Sequence, residues 1–196
     1  KNPRSTVGTV TEIYDFMRLL YARAGEAYSY LSGKKMIRQT EDQIVEQLFE
    51  SFGGKKLYIL APVVKGRKGH YRELFEQIRK MGFSKVRVDG VVMDVIPKMQ
   101  VDRYKIHDIE IVVDRIVAEE EDRFRITQSL KTALQHGKGI IMLRDEEGNI
   151  HHFSKYLMDP TTGLSYDEPA PNSFSFNSPY GACPTCNGLG VIEEIT

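Results

Sequence analysis

Eight consecutive residues, Leu57-Tyr58-Ile59-Leu60-Ala61-Pro62-Val63-Val64, constrain this chain more than any other stretch. The run is nearly continuous in apolar character and bounded by polar, glycine-containing segments. That pattern suits a buried strand, and it is far shorter than the roughly 18 residues a membrane span requires. Pro62 has no N–H to give a ladder, so the strand is expected to stop near it.

Around this strand the periodicity changes repeatedly. Residues 1–9 read as loop. Thr11 is expected to cap a helix to about Arg23, with Ile13, Phe16, Met17, Leu20 and Tyr21 on one face and Gly25 as the stop. Residues 26–38 show no clean period and predict a turn or weak hairpin. Thr40 with Gln43 forms a capping-box pair opening a helix striped by Ile44, Val45, Leu48 and Phe49 and ended by Gly53-Gly54. A third helix is expected over Tyr71–Met81, with Leu74, Phe75 and Ile78 inward. Lys85–Gly90 alternates and ends in an Asp-Gly turn, and Val91–Val95 answers it as a hairpin partner. Ile109–Val117 is a further strand. The acidic run Glu119–Asp122 is expected to open a fourth helix, through Ile126, Leu130, Ala133 and Leu134 to Gly137. Gly139–Leu143 and Asn149–Phe153 form a closing hairpin. Interleaved strands, helices and hairpins predict an α+β or mixed α/β domain from about residue 40 to 155, flanked by two shorter segments. Residues 159–182 predict an irregular but ordered region whose aromatics, Phe174, Phe176 and Tyr180, seek burial.

Composition excludes more than it selects. Lys plus Arg and Asp plus Glu both number 27, so bulk charge does not indicate a strongly basic nucleic-acid binder. No membrane span and no signal-peptide pattern are found, and two cysteines make no disulfide framework, which points to a reducing cytosol. The chain opens with Lys1 rather than Met and is expected to belong to something longer. No GxxxxGK[ST] loop, no GxGxxG after a strand and no nucleophile elbow are present, so catalysis by this chain alone is not expected. Of the histidines His70, His107, His136, His151 and His152, only the last two are neighbours, and strand neighbours point to opposite faces. Each is expected to be exposed or used in packing. Leu31-Ser32-Gly33-Lys34-Lys35 is explained by turn chemistry.

Two features carry chemistry. Lys65-Gly66-Arg67-Lys68-Gly69 is a basic, glycine-flanked segment expected to loop between a strand and a helix start. It is a candidate docking site for an acidic protein surface or for phosphates, and Lys85 and Arg87 are candidates to extend it. Cys183 and Cys186, the only cysteines, are spaced as CxxC. Such a pair chelates one edge of a metal, forms a redox dithiol, or does neither. A structural zinc normally takes four ligands, so a metal-free pair is expected, with Cys183 and Cys186 as the weaker metal alternative.

Taken in order, Asn2–Ile13, Ala61–Gly69, Val86–Gly90, His107 with Val112–Arg115, and Phe174–Pro179 with Gly181–Gly190 resemble UvrA, the damage-sensing ATPase subunit of bacterial nucleotide excision repair. The resemblance implies that residues 1–25 and 155–196 are two segments of the first ABC-ATPase signature domain, and that residues 26–154 are the inserted α+β domain that binds UvrB. It implies UvrB docking through Lys65, Arg67 and Lys68, with a nucleic-acid-binding module as the alternative use of the same patch. For the longer parent it implies ATP and zinc as cofactors, DNA binding, homodimerisation and a cytoplasmic location. In the family a first CxxC falls where this chain has Asp159 and Thr162, and cysteines are often seen around residues 27–35, where this chain has none. The resemblance thus implies a divergent or paralogous member with an absent or altered zinc module, its loss offset by packing of Phe174, Phe176 and Tyr180.

Overall fold

The computed structural model describes residues 6–166 and 168–190. The chain divides into two compact units, residues 29–166 and the described parts of residues 1–28 and 167–196.

The larger unit is built on a six-stranded antiparallel sheet in the order β3-β2-β4-β1-β5-β6. Its axis is the pair β1 (Lys56–Lys68) and β4 (Ile106–Val117). The hairpin β2 (Lys85–Val88) and β3 (Val91–Asp94) lies against β4, and the hairpin β5 (Ile140–Arg144) and β6 (Ile150–Ser154) against β1. Asp89 and Gly90 turn the first hairpin with φ of 48° and 89°, the left-handed pair a two-residue hairpin demands. Three helices cover the sheet: α3 (Glu41–Phe52), α4 (Arg72–Lys80) and α5 (Arg123–His136). Ile44 and Leu48 of α3, Phe75 and Ile78 of α4, and Ile126 and Leu130 of α5 join Ile59, Ile109, Ile111 and Leu143 of the sheet in one buried cluster. Helix α3 begins as its sequence dictates. The Gln43 N–H donates to Thr40 Oγ1 at 3.2 Å, and the Thr40 N–H donates to Gln43 Oε1 at 2.9 Å.

Several expectations are corrected. Pro62 does not end β1, and Lys65–Lys68 is strand rather than loop. The 12-residue β4 offers a long partner, and register shifts at Pro62/Val64 and Val64/Arg67 absorb the proline and Gly66 (φ 62°) without breaking the ladder. Beyond Leu60 no β5 residue pairs with β1. Proline and cations along that side resist further strand pairing. The acidic run forms a 3₁₀ turn, Glu120–Asp122, and α5 starts only at Arg123.

In the smaller unit, the first five residues of the expected loop over residues 1–9 lie outside the described residues. A short helix α1 (Val7–Val10) follows, capped by Thr6. Helix α2 spans Ile13–Ala24, but Thr11 does not cap it: its hydroxyl donates back to the Val7 carbonyl at 2.7 Å. The stripe Ile13, Phe16, Met17, Leu20 and Tyr21 remains exposed among the described residues. Phe174 and Phe176 pack on Tyr21 and Tyr14, with ring centroids 5.8 and 5.2 Å apart, whereas Tyr180 is exposed.

Candidate interaction surface

The five cations singled out in the sequence are placed differently. Arg67 and Lys68 end β1 opposite His107 and Ile106 of β4. Both are exposed, and neither side chain has a hydrogen bond or ion pair among the described residues. Lys65 is exposed too, but its Nζ donates to the Gly163 carbonyl at 3.3 Å. Lys85 pairs with Asp94 across the β2–β3 hairpin at 2.5 Å. Arg87 lies on β2 against β4, and its guanidinium meets Glu110 at 3.2 Å, with side-chain exposures of only 15% and 5%. Burial pushes the Glu110 carboxyl above the usual carboxylate range, and Arg87 pulls it back. Lys65 and Arg87 also lie near enough to His152 to add to the burial that lowers its pKa. Two of the five cations thus have no partner among the described residues, and they are neighbours in the chain.

Beside them runs a groove of about 700 Å³, lined by Lys68, His70, Tyr71, Leu74, Gln77 and Arg103 among others. Tyr71 is part of its wall. It adopts φ 53° at the N-terminus of α4 and donates its hydroxyl to the Lys68 carbonyl at 3.1 Å. Its ring meets that of His107 edge-on.

His107 is a feature the sequence underrated. It is 4% exposed, with Nδ1 at 2.7 Å from Asp89 Oδ2 and Nε2 at 2.8 Å from the Asp102 carbonyl. Both neighbours accept, so the doubly protonated ring is the form that satisfies them. The Asp89 carboxylate first, and the Asp102 carbonyl second, raise its pKa. Asp89 Oδ1 also accepts the Asp108 N–H at 2.9 Å. The Asp-Gly turn therefore staples the β4 end that carries the partners of Arg67 and Lys68. The only legible signal was Asp89 in a turn, with nothing in the sequence linking it to His107.

Cys183 and Cys186 are both reduced, in a turn closed by the Asn187 N–H donating to the Cys183 carbonyl at 2.7 Å. The backbone N–H groups of Cys186 and Thr185 lower the Cys183 thiol to about 7. Among the described residues no group of three or more His, Cys, Asp or Glu side chains is arranged to hold a metal ion. No described helix is long and apolar enough to cross a membrane.

The sheet unit belongs, as a class, to α+β interaction domains: residues 39–147 match the family described as UvrA interaction domain. The chain is a member of the UvrA family. It is 45% identical over 99% of its length to UvrABC system protein A of Methanothermobacter thermautotrophicus, 44% over 98% to that of Thermus thermophilus, and 46% over 100% to that of Bacillus subtilis. The chain spans about a fifth of the length of these relatives.

Proposed function

We propose that the sheet unit is the docking module through which a UvrA-type damage-recognition ATPase engages UvrB in nucleotide excision repair, with Arg67 and Lys68 as principal contact cations. The observation that carries this is the pairing state of the charges. Lys85 and Arg87 are already neutralised within the sheet and Lys65 is held by a carbonyl, whereas Arg67 and Lys68 have no such partner among the described residues, and Lys68 lines a groove that also carries Arg103 and Glu73. Exposed cations of that kind steer an acidic partner and lose strength with salt. ATP hydrolysis, DNA binding and dimerisation are assigned to other parts of a longer, cytoplasmic protein.

The test is titration of UvrB and of short duplex DNA with the parent chain and its Arg67→Glu/Lys68→Glu variant. UvrB affinity should fall at least tenfold, about 1.4 kcal/mol, and the parent's affinity should weaken from low to high salt. Unchanged UvrB binding removes this strand end from the interface. Loss of DNA binding alone assigns the patch to nucleic acid instead.

A further inference from the structure

Three stretches of this chain fold into the same tight turn. In Ser29-Tyr30-Leu31-Ser32-Gly33 the Gly33 N–H donates to the Ser29 carbonyl at 2.8 Å. Ser29 Oγ accepts the N–H groups of Leu31 and Ser32 at 3.3 and 3.4 Å, and Ser32 Oγ accepts that of Lys34 at 3.2 Å. Asp159-Pro160-Thr161-Thr162-Gly163 repeats this bond for bond. The Gly163 N–H donates to the Asp159 carbonyl at 2.9 Å. Asp159 Oδ1 accepts from Thr161 and Thr162 at 2.8 and 3.3 Å, and Thr162 Oγ1 accepts from Leu164 at 3.3 Å. The two closing glycines share a left-handed φ of 67° and 65°. The third turn is Cys183–Asn187, in which the first and fourth positions are thiols.

The first two turns face each other. Ser32 Oγ donates to Asp159 Oδ2 at 2.7 Å, and Ile37 and Met158 exchange backbone hydrogen bonds of 3.0 and 2.9 Å beside them. Ser29 and Asp159 are buried to 2% and 0% exposure. The first- and fourth-position side chains, Ser29, Ser32, Asp159 and Thr162, converge on one carboxylate. Two turns of this kind with thiols at those positions supply the four ligands of a tetrahedral zinc site. The residues present do not fit that ion. Three are neutral hydroxyls, poor ligands for a borderline-soft metal, and both Asp159 oxygens are already occupied by N–H and O–H donors.

We infer that the paired turns are a metal-free clasp, in which the Asp159 carboxylate takes the place of a four-coordinate ion and joins the entry and exit segments of the sheet unit. The Ser32 hydroxyl, with Ser29, the Thr161 N–H and Thr162, holds that carboxylate well below the usual carboxylate range, so it stays ionised throughout the neutral and mildly acidic range. The Ser32–Asp159 bond links residues 127 positions apart in sequence, so it helps offset the entropy cost of closing the unit on itself. The clasp holds no thiol, so it is indifferent to chelators and to oxidants. This reading is independent of any UvrB contact.

The test uses the 196-residue chain in a Cys183→Ser/Cys186→Ser background, so that any metal signal belongs to the clasp. This protein should contain less than about a tenth of an equivalent of zinc and keep its melting temperature in excess chelator. Adding S29C, S32C, D159C and T162C should create a site that binds one Co(II) per chain with the visible bands of tetrahedral thiolate coordination, and should make melting chelator-sensitive. Asp159→Ala should speed amide exchange selectively in residues 29–37 and 158–165 if the clasp is the link. Stoichiometric zinc in the Cys183→Ser/Cys186→Ser protein, a folded four-cysteine variant that binds no Co(II), or unaltered exchange in Asp159→Ala would each overturn the inference.

Discussion

Replacing Arg87 by Met should be among the most damaging single changes in the sheet. At 3.2 Å, and with an effective dielectric near 20, the Arg87–Glu110 attraction is about 5 kcal/mol. Most of it offsets the desolvation of two charges that are hardly exposed, so the pair contributes little net stability as a unit. Removing one partner leaves the Glu110 carboxylate uncompensated and hardly exposed, and the expected loss is about 3 kcal/mol. In a chain of this size that lowers the melting temperature by roughly 6–12 °C. Urea denaturation followed by circular dichroism measures the loss. The double change Arg87→Met/Glu110→Leu should recover most of it, a coupling of about 2 kcal/mol or more. The pH dependence has a defined sign. A carboxyl raised by burial is most compatible with folding when protonated, so the single variant should regain stability below the ordinary glutamate value near pH 4.3 and lose it as pH rises. A single variant within about 0.5 kcal/mol of the parent would refute this view of the pair.

Two further outcomes are expected. The His107–Asp89 staple stabilises most fully below the ordinary histidine value near pH 6.5, and its contribution is lost as pH climbs through the raised value of the folded ring. His107→Gln should therefore flatten the urea midpoint above neutral pH, and an unchanged slope would show that the imidazolium is not the stapling species. Thr40→Ala removes the Oγ1 that accepts the Gln43 N–H, leaves the backbone N–H of residue 40 free to donate to Gln43 Oε1, and should destabilise by about 1 kcal/mol, measured in the same urea series.

Local chemistry was most legible where one residue type admits one geometry. The capping box at Thr40, the stripe of α3 and the Asp89-Gly90 turn are all present in the positions their sequences demand. Errors arose where a distant partner overruled a local signal. Pro62 and the glycines around Lys65 argue for a loop, yet β4 carries the ladder past them through bulges. Thr11 reads as a cap for α2, yet the short helix at Val7–Val10, unseen in the sequence, draws its hydroxyl back to the Val7 carbonyl. Among the cations, charge alone did not distinguish Arg87, sunk against Glu110, from Arg67, exposed at a strand end. Cross-strand register makes that difference. The clasp was invisible for another reason. Ser-Tyr-Leu-Ser-Gly and Asp-Pro-Thr-Thr-Gly share only their last residue, and their likeness lies in backbone hydrogen bonds.

Tyr30 and Tyr166 stand edge to face with ring centroids 5.8 Å apart, at the two places where the chain enters and leaves the sheet unit. A module whose doorways adjoin can be set into a host at a single peptide junction without stretching either scaffold. That makes residues 29–166 a natural cassette for transplantation.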